Sequence, residues 1–333
     1  MRLATYNVEW FSNLFDDEGA LRDDDGWSGR WDVKRNEQIA ALGTVFKALD
    51  ADGVMVIEAP DAHARRDGAL ALETFAAKFG LRARKATIGY INETQQEIIF
   101  LHDPDVMSVR HDPREDGAPL FDEAIKMDLD VDANPETIRW SKPPLELEVT
   151  HTSGVQFRLI GVHAKSKAPH GARDDASAMR ISIANRRKQL AQCIWLRRRV
   201  EAHLALEDNV ILLGDFNDGP GLDEYEKLFG RSGVEIVLGE GEGEQLFDPH
   251  ARMALSQRIG AMPITARFKK RRTGHVLSAL LDYIMVSDSV RQMGAEWVIF
   301  HPFDHAECFA NKPLSTALQL ASDHYPVVLD LDL

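Results

Sequence analysis

The stretch NVILLGDFNDGP, residues 209–220, runs from four aliphatics into Gly-Asp-Phe-Asn-Asp. A buried strand that ends on an acid and an amide places polar groups at its exit, and the pattern recurs along the chain. Asn7 and Glu9 follow LATY, Glu58 follows GVMVI, His163 follows FRLIGV, Asp215 and Asn217 follow VILLG, Asp282 sits within LLDYIMV, and Asp323 and His324 precede YPVVLDL. In an extended strand, residues i and i+2 share a face about 6.6 Å apart. Asn7 with Glu9, and Asp215 with Asn217, can therefore point the same way. An ionised carboxylate buried alone is very costly, so these acids must be paired, hydrogen-bonded or metal-bound. Their repeated placement at strand ends points to convergence on one site, where α/β architectures bind ligands.

Taken singly, most of these residues also have a plainer reading. Asp, Asn, Gly and Pro all form turns, so GDFNDGP can be read as a turn. Glu58 can be a solvated strand-end acid, Ser-Asp-His can cap a turn before the last strand, and His163 can be a satisfied core histidine. Asp282 resists such a reading, because a charge inside an apolar run needs a partner. The joint pattern carries the argument.

The elements that must position these groups are visible as apolar runs. Strands are expected at 3–8, 53–59, 86–91, 97–102, 145–150, 155–164, 209–215, 280–287 and 325–333. Several are apolar almost throughout, as strands covered on both faces are. LELEVT (145–150) alternates, as a strand with one wet face does. Helical stripes occupy 33–49 (Ile39, Leu42, Val45, Phe46, Leu49), 70–79, and 177–205 (Ile183, Leu190, Ile194, Val200), with a short helix expected at 222–229. Residues 103–140 and 300–320 lack clear periodicity and read as long surface loops, and GEGEGE (239–244) as a short low-complexity loop. Strands and helices mix from end to end with no linker between two cores. One α/β domain spanning 1–333 is therefore expected.

The 333 residues are 44% hydrophobic and 28% charged, ordinary for a soluble globular chain, and no apolar run is long enough to span a bilayer. The start, MRLATYNVEWF, has no signal-peptide pattern, so a cytoplasmic location is expected. Cys193 and Cys308 lack zinc-site or redox spacing and read as reduced bystanders. A net charge of −14 argues against coating nucleic acid by charge alone, and is compatible with a locally basic or metal-loaded site.

In chain order, TYNVEWF, VMVIEAP, IGVHAKSK, LLGDFND, LDYIMVS and SDHYPV resemble the endonuclease/exonuclease/phosphatase superfamily, which includes deoxyribonuclease-like enzymes. GDFN and SDHYPV are the most specific pieces, and the match covers nearly the whole chain. VIEAP departs from it: members often carry Gln before the Glu and Val after it, where this chain has Ile57 and Ala59. The resemblance implies a four-layer α/β sandwich, two packed mixed β-sheets flanked by helices. It also implies roles. Glu58 is the principal metal ligand, with Asn7, Glu9 and Asp323 beside it. Asp215 orients or deprotonates the attacking water, and Asn217 donates to a phosphate oxygen. His324, oriented by Asp282, contacts the phosphate, and His163 assists the leaving group.

The activity implied is divalent-metal-dependent hydrolysis of a phosphoester. Hard divalent ions prefer oxygen ligands, so Mg²⁺ or Mn²⁺ is expected and Ca²⁺ is possible, while the absence of Cys and paired-His ligands disfavours structural zinc. Lysines in VHAKSK, Lys165 and Lys167, together with Lys269–Arg272, are candidates for backbone-phosphate contacts and favour a nuclease or phosphodiesterase. The clusters RRK (186–188) and RRR (197–199) read as solvated helix faces. Net acidity favours the alternative, a phosphomonoesterase or small-molecule phosphodiesterase. A non-catalytic binding module is the alternative of another class. The expected partner is nucleic acid or another phosphoester, with no membrane span and no obligate protein partner.

Overall fold

The first strand, β1 (Arg2–Asn7), alternates between two interiors. Ala4 and Tyr6 enter a core shared with helices, while Leu3 enters a core shared with a second sheet. This computed structural model describes residues 1–128, 135–220, 229–239, 243–256, 262–269 and 274–333. Around β1, the strands β2 (Gly53–Ala59), β3 (Lys85–Ile88), β4 (Glu97–His102), β14 (Glu296–Ile299) and β15 (Val327–Asp330) form a sheet of order β14-β15-β1-β2-β4-β3. A second sheet has the order β13-β10-β9-β8-β5. It is built from β5 (Met107–His111), β8 (Leu145–His151), β9 (Gln156–His163), β10 (Val210–Asp215) and β13 (Asp282–Val286). Two hairpins, β6 (Ile125–Met127) with β7 (Glu136–Ile138) and β11 (Ala266–Lys269) with β12 (Val276–Ala279), stand apart.

Helices α1 (Arg35–Leu49), α2 (Gly68–Phe79) and, late in the chain, α5 (Lys312–Ala321) cover the first sheet. Helices α3 (Asp175–Ala205) and α4 (Gly233–Leu238) cover the second. The fold is thus the expected four-layer sandwich. Between the sheets Leu3, Met55, Ile57, Leu159, Ile211 and Ile284 interlock, each worth roughly 1.5–3 kcal/mol of apolar burial. β9 and β10 run parallel and unusually close at one point. A Cβ on Gly214 (φ +145°) would lie 2.0 Å from the Val162 carbonyl oxygen, so only glycine fits there.

Several expectations are overturned. Residues 103–140 are not simply a surface loop. They contain β5, β6 and β7, and Phe121 and Trp140 pack edge-to-face beneath α3. Residues 300–320 contain the helix Ala306–Ala310 and α5, whose Leu314, Ala317, Leu318 and Ala321 are buried against the first sheet's helices. LELEVT has no continuous wet face, because Glu146 is buried. Nor are the arginine clusters of α3 wholly solvated. Arg199 is fully buried against Glu146 at 3.1 Å and the carbonyls of Ala118 and Pro119, and Arg186 is fully buried against Asp218 at 3.3 Å. Of 222–229 only Phe229 lies within the described residues, and of 239–244 only Gly239, Gly243 and Glu244 do. Both cysteines are free and buried. No helix among the described residues is long and apolar enough to cross a membrane.

Candidate active site

The inter-sheet rows end in polar groups. On β10 the row Ile211, Leu213 continues to Asp215, and on β1 the row from Leu3 continues to Asn7. In register, Asp215 pairs with His163 on one side and Asp282 on the other, so three neighbouring strands present one titratable group each on a single rung. Asn7 reaches across from the opposite sheet, its Nδ2 donating to Asp215 Oδ2 at 3.1 Å. The two sheets thus meet at Asp215.

Glu58 does not follow from strand period. Its parity is that of Val54 and Val56, which face the helices. A bulge between Ile57 and Ala59, with Glu58 at φ 59°, turns the side chain towards the site instead. Glu9 (φ 47°), Trp10 (φ 60°) and Asn217 (φ 50°) are likewise left-handed non-glycine residues, a conformation that costs of order 1–3 kcal/mol each and clusters where geometry serves a site. At the other end, α5 stops at extended Ser322 and hands the chain directly to Asp323 and His324. The Ser322 hydroxyl donates to the Asn7 carbonyl at 2.7 Å and accepts from the His324 amide at 3.0 Å. Gln38, fully buried on α1, donates to the carbonyls of Val8, Glu9 and Ala321. These two residues fasten the segment after β1 to the segment after α5.

Asp215 accepts three N–H donors: the Asn217 amide at 2.7 Å on Oδ1, and the Asn217 and Asn7 side chains at 3.1 Å on Oδ2. Burial pushes its carboxyl up to about 7, opposed by His324 and reinforced by Asp282. His324 Nδ1 lies 2.8 Å from Asp282 Oδ2. Burial disfavours its charged form, but the charge and hydrogen bond of Asp282, then Asp215 and Asp323, lift its pKa well above the ordinary value. His324 is therefore an imidazolium. His163 is driven the other way, by burial and then by Lys142 and His324, and is neutral. Two histidines whose pKa values are forced apart have different roles.

Lys142 was not visible as a site residue. Its Nζ lies 3.0 Å from both His163 Nε2 and Gln96 Oε1, and burial pulls its pKa down to about 8 against the pull of Glu58 and Asp215. It precedes Pro143-Pro144 at the entry to β8, outside any apolar run and with no acid or histidine beside it in sequence. The structure brings together Asn7, Glu58, His163, Asp215, Asn217, Asp282 and His324. Glu9 is committed to Arg30 and to the Asp323 amide, and Asp323 stands beside His324 at 3.9 Å. Lys165 is half-buried, with its amide on Gln192, while Lys167 is held by Asp218. Of Lys269–Arg272, only Lys269 lies within the described residues.

The donor set suits a hard cation. Glu58 Oε2 accepts the Trp10 amide at 2.9 Å, while its Oε1 lies 4.0 Å from His163 Nε2. Burial raises the Glu58 pKa, so the carboxylate stands in need of a positive partner. Asp215, Asp282 and His324 also lie within 4.8 Å of one another. A protonated imidazole has no lone pair to offer, so a cation could be held by this group only with His324 deprotonated, whereas Glu58 offers a carboxylate in either case.

The endonuclease/exonuclease/phosphatase family model matches residues 4–324. The chain belongs to this family. It is a phosphoester hydrolase that depends on a divalent metal. Solved structures share its fold at low identity. Truncated Caenorhabditis elegans TDP2 is 13% identical with a TM-score of 0.53, over 98% of this chain and 96% of that one. The 3'-5' exonuclease NExo from Neisseria meningitidis is 14% identical with a TM-score of 0.51, over all of both chains. D. rerio TDP2 complexed with single-strand DNA product is 13% identical with a TM-score of 0.50, over 99% and 97%. No curated protein matches the chain significantly.

Proposed function

We propose that this enzyme is a nuclease or phosphodiesterase that cleaves nucleic-acid phosphodiester bonds by in-line attack of water, with Mg²⁺ or Mn²⁺ as the working ion and Ca²⁺ as a weaker substitute. The observation that carries the reading is geometric: Asn7 from one sheet and His163, Asp282 and Asn217 from the other converge on Asp215, with His324 held by Asp282 and Glu58 beside His163. The nucleic-acid relatives, a 3'-5' exonuclease and a protein complexed with single-strand DNA product, favour this substrate class.

Glu58, with Asn7 and Asp323, would hold the ion, and Glu9 fixes Asp323 and Arg30 behind them. The ion supplies neutralising charge at the phosphoryl oxygens. Asp215 takes the proton of the attacking water, its carboxylate aimed by three N–H donors. His324, charged and held by Asp282, donates to a phosphoryl oxygen as negative charge builds there. Both amide protons of Asn217 are engaged in the free enzyme, by Ala164 O and Asp215, so one must be released for it to donate to phosphate. Neutral His163 accepts from Lys142, and this pair delivers a proton to the departing oxygen. Lys165 and Lys167 are the phosphate contacts beyond the reacting bond.

The net charge of −14 and the engagement of Lys167 by Asp218 favour a second reading, hydrolysis of a small phosphodiester or phosphomonoester. Turnover of plasmid DNA, single-stranded RNA, bis-p-nitrophenyl phosphate and p-nitrophenyl phosphate, each with Mg²⁺, Mn²⁺ or Ca²⁺, decides between them. Cleavage of the polymers is expected. Turnover confined to the nitrophenyl esters refutes the nuclease reading, and no turnover of any ester refutes both.

A further inference from the structure

The chain between β1 and α1 carries two tryptophans that the fold does not use. Trp27 is 65% exposed and Trp31 82% exposed, and neither packs against another aromatic ring among the described residues. A tryptophan is the residue least suited to water, since it can bury ~150–250 Å², and two on one loop make an exposed apolar patch of the kind that marks a binding surface. The loop is fastened to the catalytic wall at two points. Arg30, between the two indoles, pairs with Glu9 and donates to the Gln319 carbonyl at 2.8 Å. The backbone of Gly29 lies directly on Trp10, such that a Cβ there would meet the Trp10 Cβ at 2.5 Å. Trp10, 39% exposed, is the residue whose amide holds Glu58. The loop that carries Trp27 and Trp31 is thus anchored against Trp10, the residue whose amide meets Glu58.

The surroundings specify what these rings can meet. Asp23, Asp24 and Asp25, which precede Trp27, are ion-paired with Lys78, Arg35 and Lys34, and the segment 22–35 carries as many Arg and Lys as Asp. On such a charge-balanced segment the rings offer a flat, neutral π-face. We propose that Trp27 and Trp31 form a base-stacking arm for unpaired nucleotides flanking the scissile phosphate. The enzyme would therefore take single-stranded or frayed nucleic acid in preference to paired duplex. This rests on the nucleic-acid reading given under Proposed function. Stacking serves where a lysine could not, because each base presents a π-face whatever its sequence, whereas bases inside a duplex have theirs covered by neighbours.

The test compares wild type, Trp27→Ala, Trp31→Ala, the double variant and Trp31→Phe. Substrates are a single-stranded oligonucleotide, the same sequence as blunt duplex, and bis-p-nitrophenyl phosphate. Loss of stacking on both rings should raise KM for the single strand about tenfold or more, with Trp31→Phe recovering most of it. Turnover of bis-p-nitrophenyl phosphate should be unchanged, since neither ring contacts the reacting groups. In an inactive Asp215→Asn background the oligonucleotide should quench tryptophan fluorescence, and the double variant should lose most of that quench, because Trp140 and Trp195 are buried, Trp297 is half-buried and Trp10 is less exposed than either loop ring. An unchanged KM for the single strand, a wild-type preference for blunt duplex, or an equal loss on the small diester overturns the arm while leaving the nuclease reading intact. A wild type that cleaves the small diester but no oligonucleotide overturns the nuclease reading, and the arm falls with it.

Discussion

Replacing Asp215 by Asn separates what this carboxylate does for catalysis from what it costs the fold. The change is isosteric but not neutral in hydrogen bonding. The Asn217 amide, 2.7 Å from Oδ1, requires an acceptor, so the new carboxamide oxygen must stay there. Its NH₂ then faces two other donors, the side chains of Asn7 and Asn217, where a carboxylate oxygen accepted both at 3.1 Å. That mismatch costs about 1–3 kcal/mol at any pH. Against it stands the buried charge. The Asp215 pKa is raised to about 7 in the folded chain from an ordinary 3.8. A raised pKa gives stability that is full below the unfolded value and is lost as pH rises through the folded one. In metal-free protein Asp215 therefore accounts for a loss on the order of a few kcal/mol between pH 4 and pH 8, and the Asn variant lacks that share of the decline. Melting in EDTA should show crossing curves, with Asp215→Asn less stable at pH 5 and more stable at pH 8.5. With Mg²⁺ its turnover of bis-p-nitrophenyl phosphate should fall ~10²–10⁴-fold, the usual contribution of a positioned base. Parallel melting curves, or turnover within tenfold of wild type, would refute the assignment.

Lys142, whose pKa is pulled down to about 8, should lose its proton above that pH and give kcat/KM an alkaline limb. Lys142→Arg should move the limb upward, and Lys142→Ala should abolish it at a ~10–100-fold lower rate, as read from pH–rate profiles. Arg199→Met strands Glu146 in the core at a cost of about 3–5 kcal/mol. Because the Glu146 pKa is raised to about 7, the Tm deficit should deepen as pH rises through 7, and adding Glu146→Leu should restore most of it. Gly214→Ala forces a Cβ onto the Val162 carbonyl in a backbone region closed to L-residues, and should cost about 3 kcal/mol or more in chemical denaturation or leave no soluble protein.

The layers of the sandwich were legible because strands buried on both faces announce themselves. GVMVI and VILLG are apolar at every position, and each supplies two cores at once, Met55 to one and Val54 to the other. The stripe of α1 was legible for the same reason, with Ile39, Leu42, Val45, Phe46 and Leu49 all buried. What escaped was short or compensated. The strands β6 and β7 are each three residues long, too few to show a period. The stripe of α5 consists of Leu314, Leu318 and two alanines, weak markers of burial by type. Glu146, Arg186 and Arg199 are charged residues in the core, and their burial is possible only because distant partners neutralise them. No local pattern announces a partner as far off in sequence as Asp218 is from Arg186, 32 residues, or Arg199 from Glu146.

The site divides along the same line. Asn7, His163, Asp215 and Asp282 are each the last or first polar position of an apolar inter-sheet row, so period 2 alone carries them to one end of the sandwich. Glu58 breaks that period and arrives by a bulge and a positive φ, which the run VMVIEA does not advertise. The convergence of these positions was thus readable, and Asp323 directly before His324 already marks that histidine as one held among carboxylates, whereas Ala164 and Lys165 follow His163. The buried Lys142 beside His163, 21 residues away in sequence, was not readable. Asp282 and Asp323 raise the pKa of His324, while burial, and then Lys142, lowers that of His163. If Lys142 is the group that keeps His163 neutral at the site, then Lys142→Met should raise the His163 pKa while leaving the Asp282–His324 pair untouched. NMR titration of the two imidazoles reads both effects in one spectrum. A His163 that still resists protonation in Lys142→Met would assign its state to burial alone and leave Lys142 with a contact to the leaving group as its remaining role.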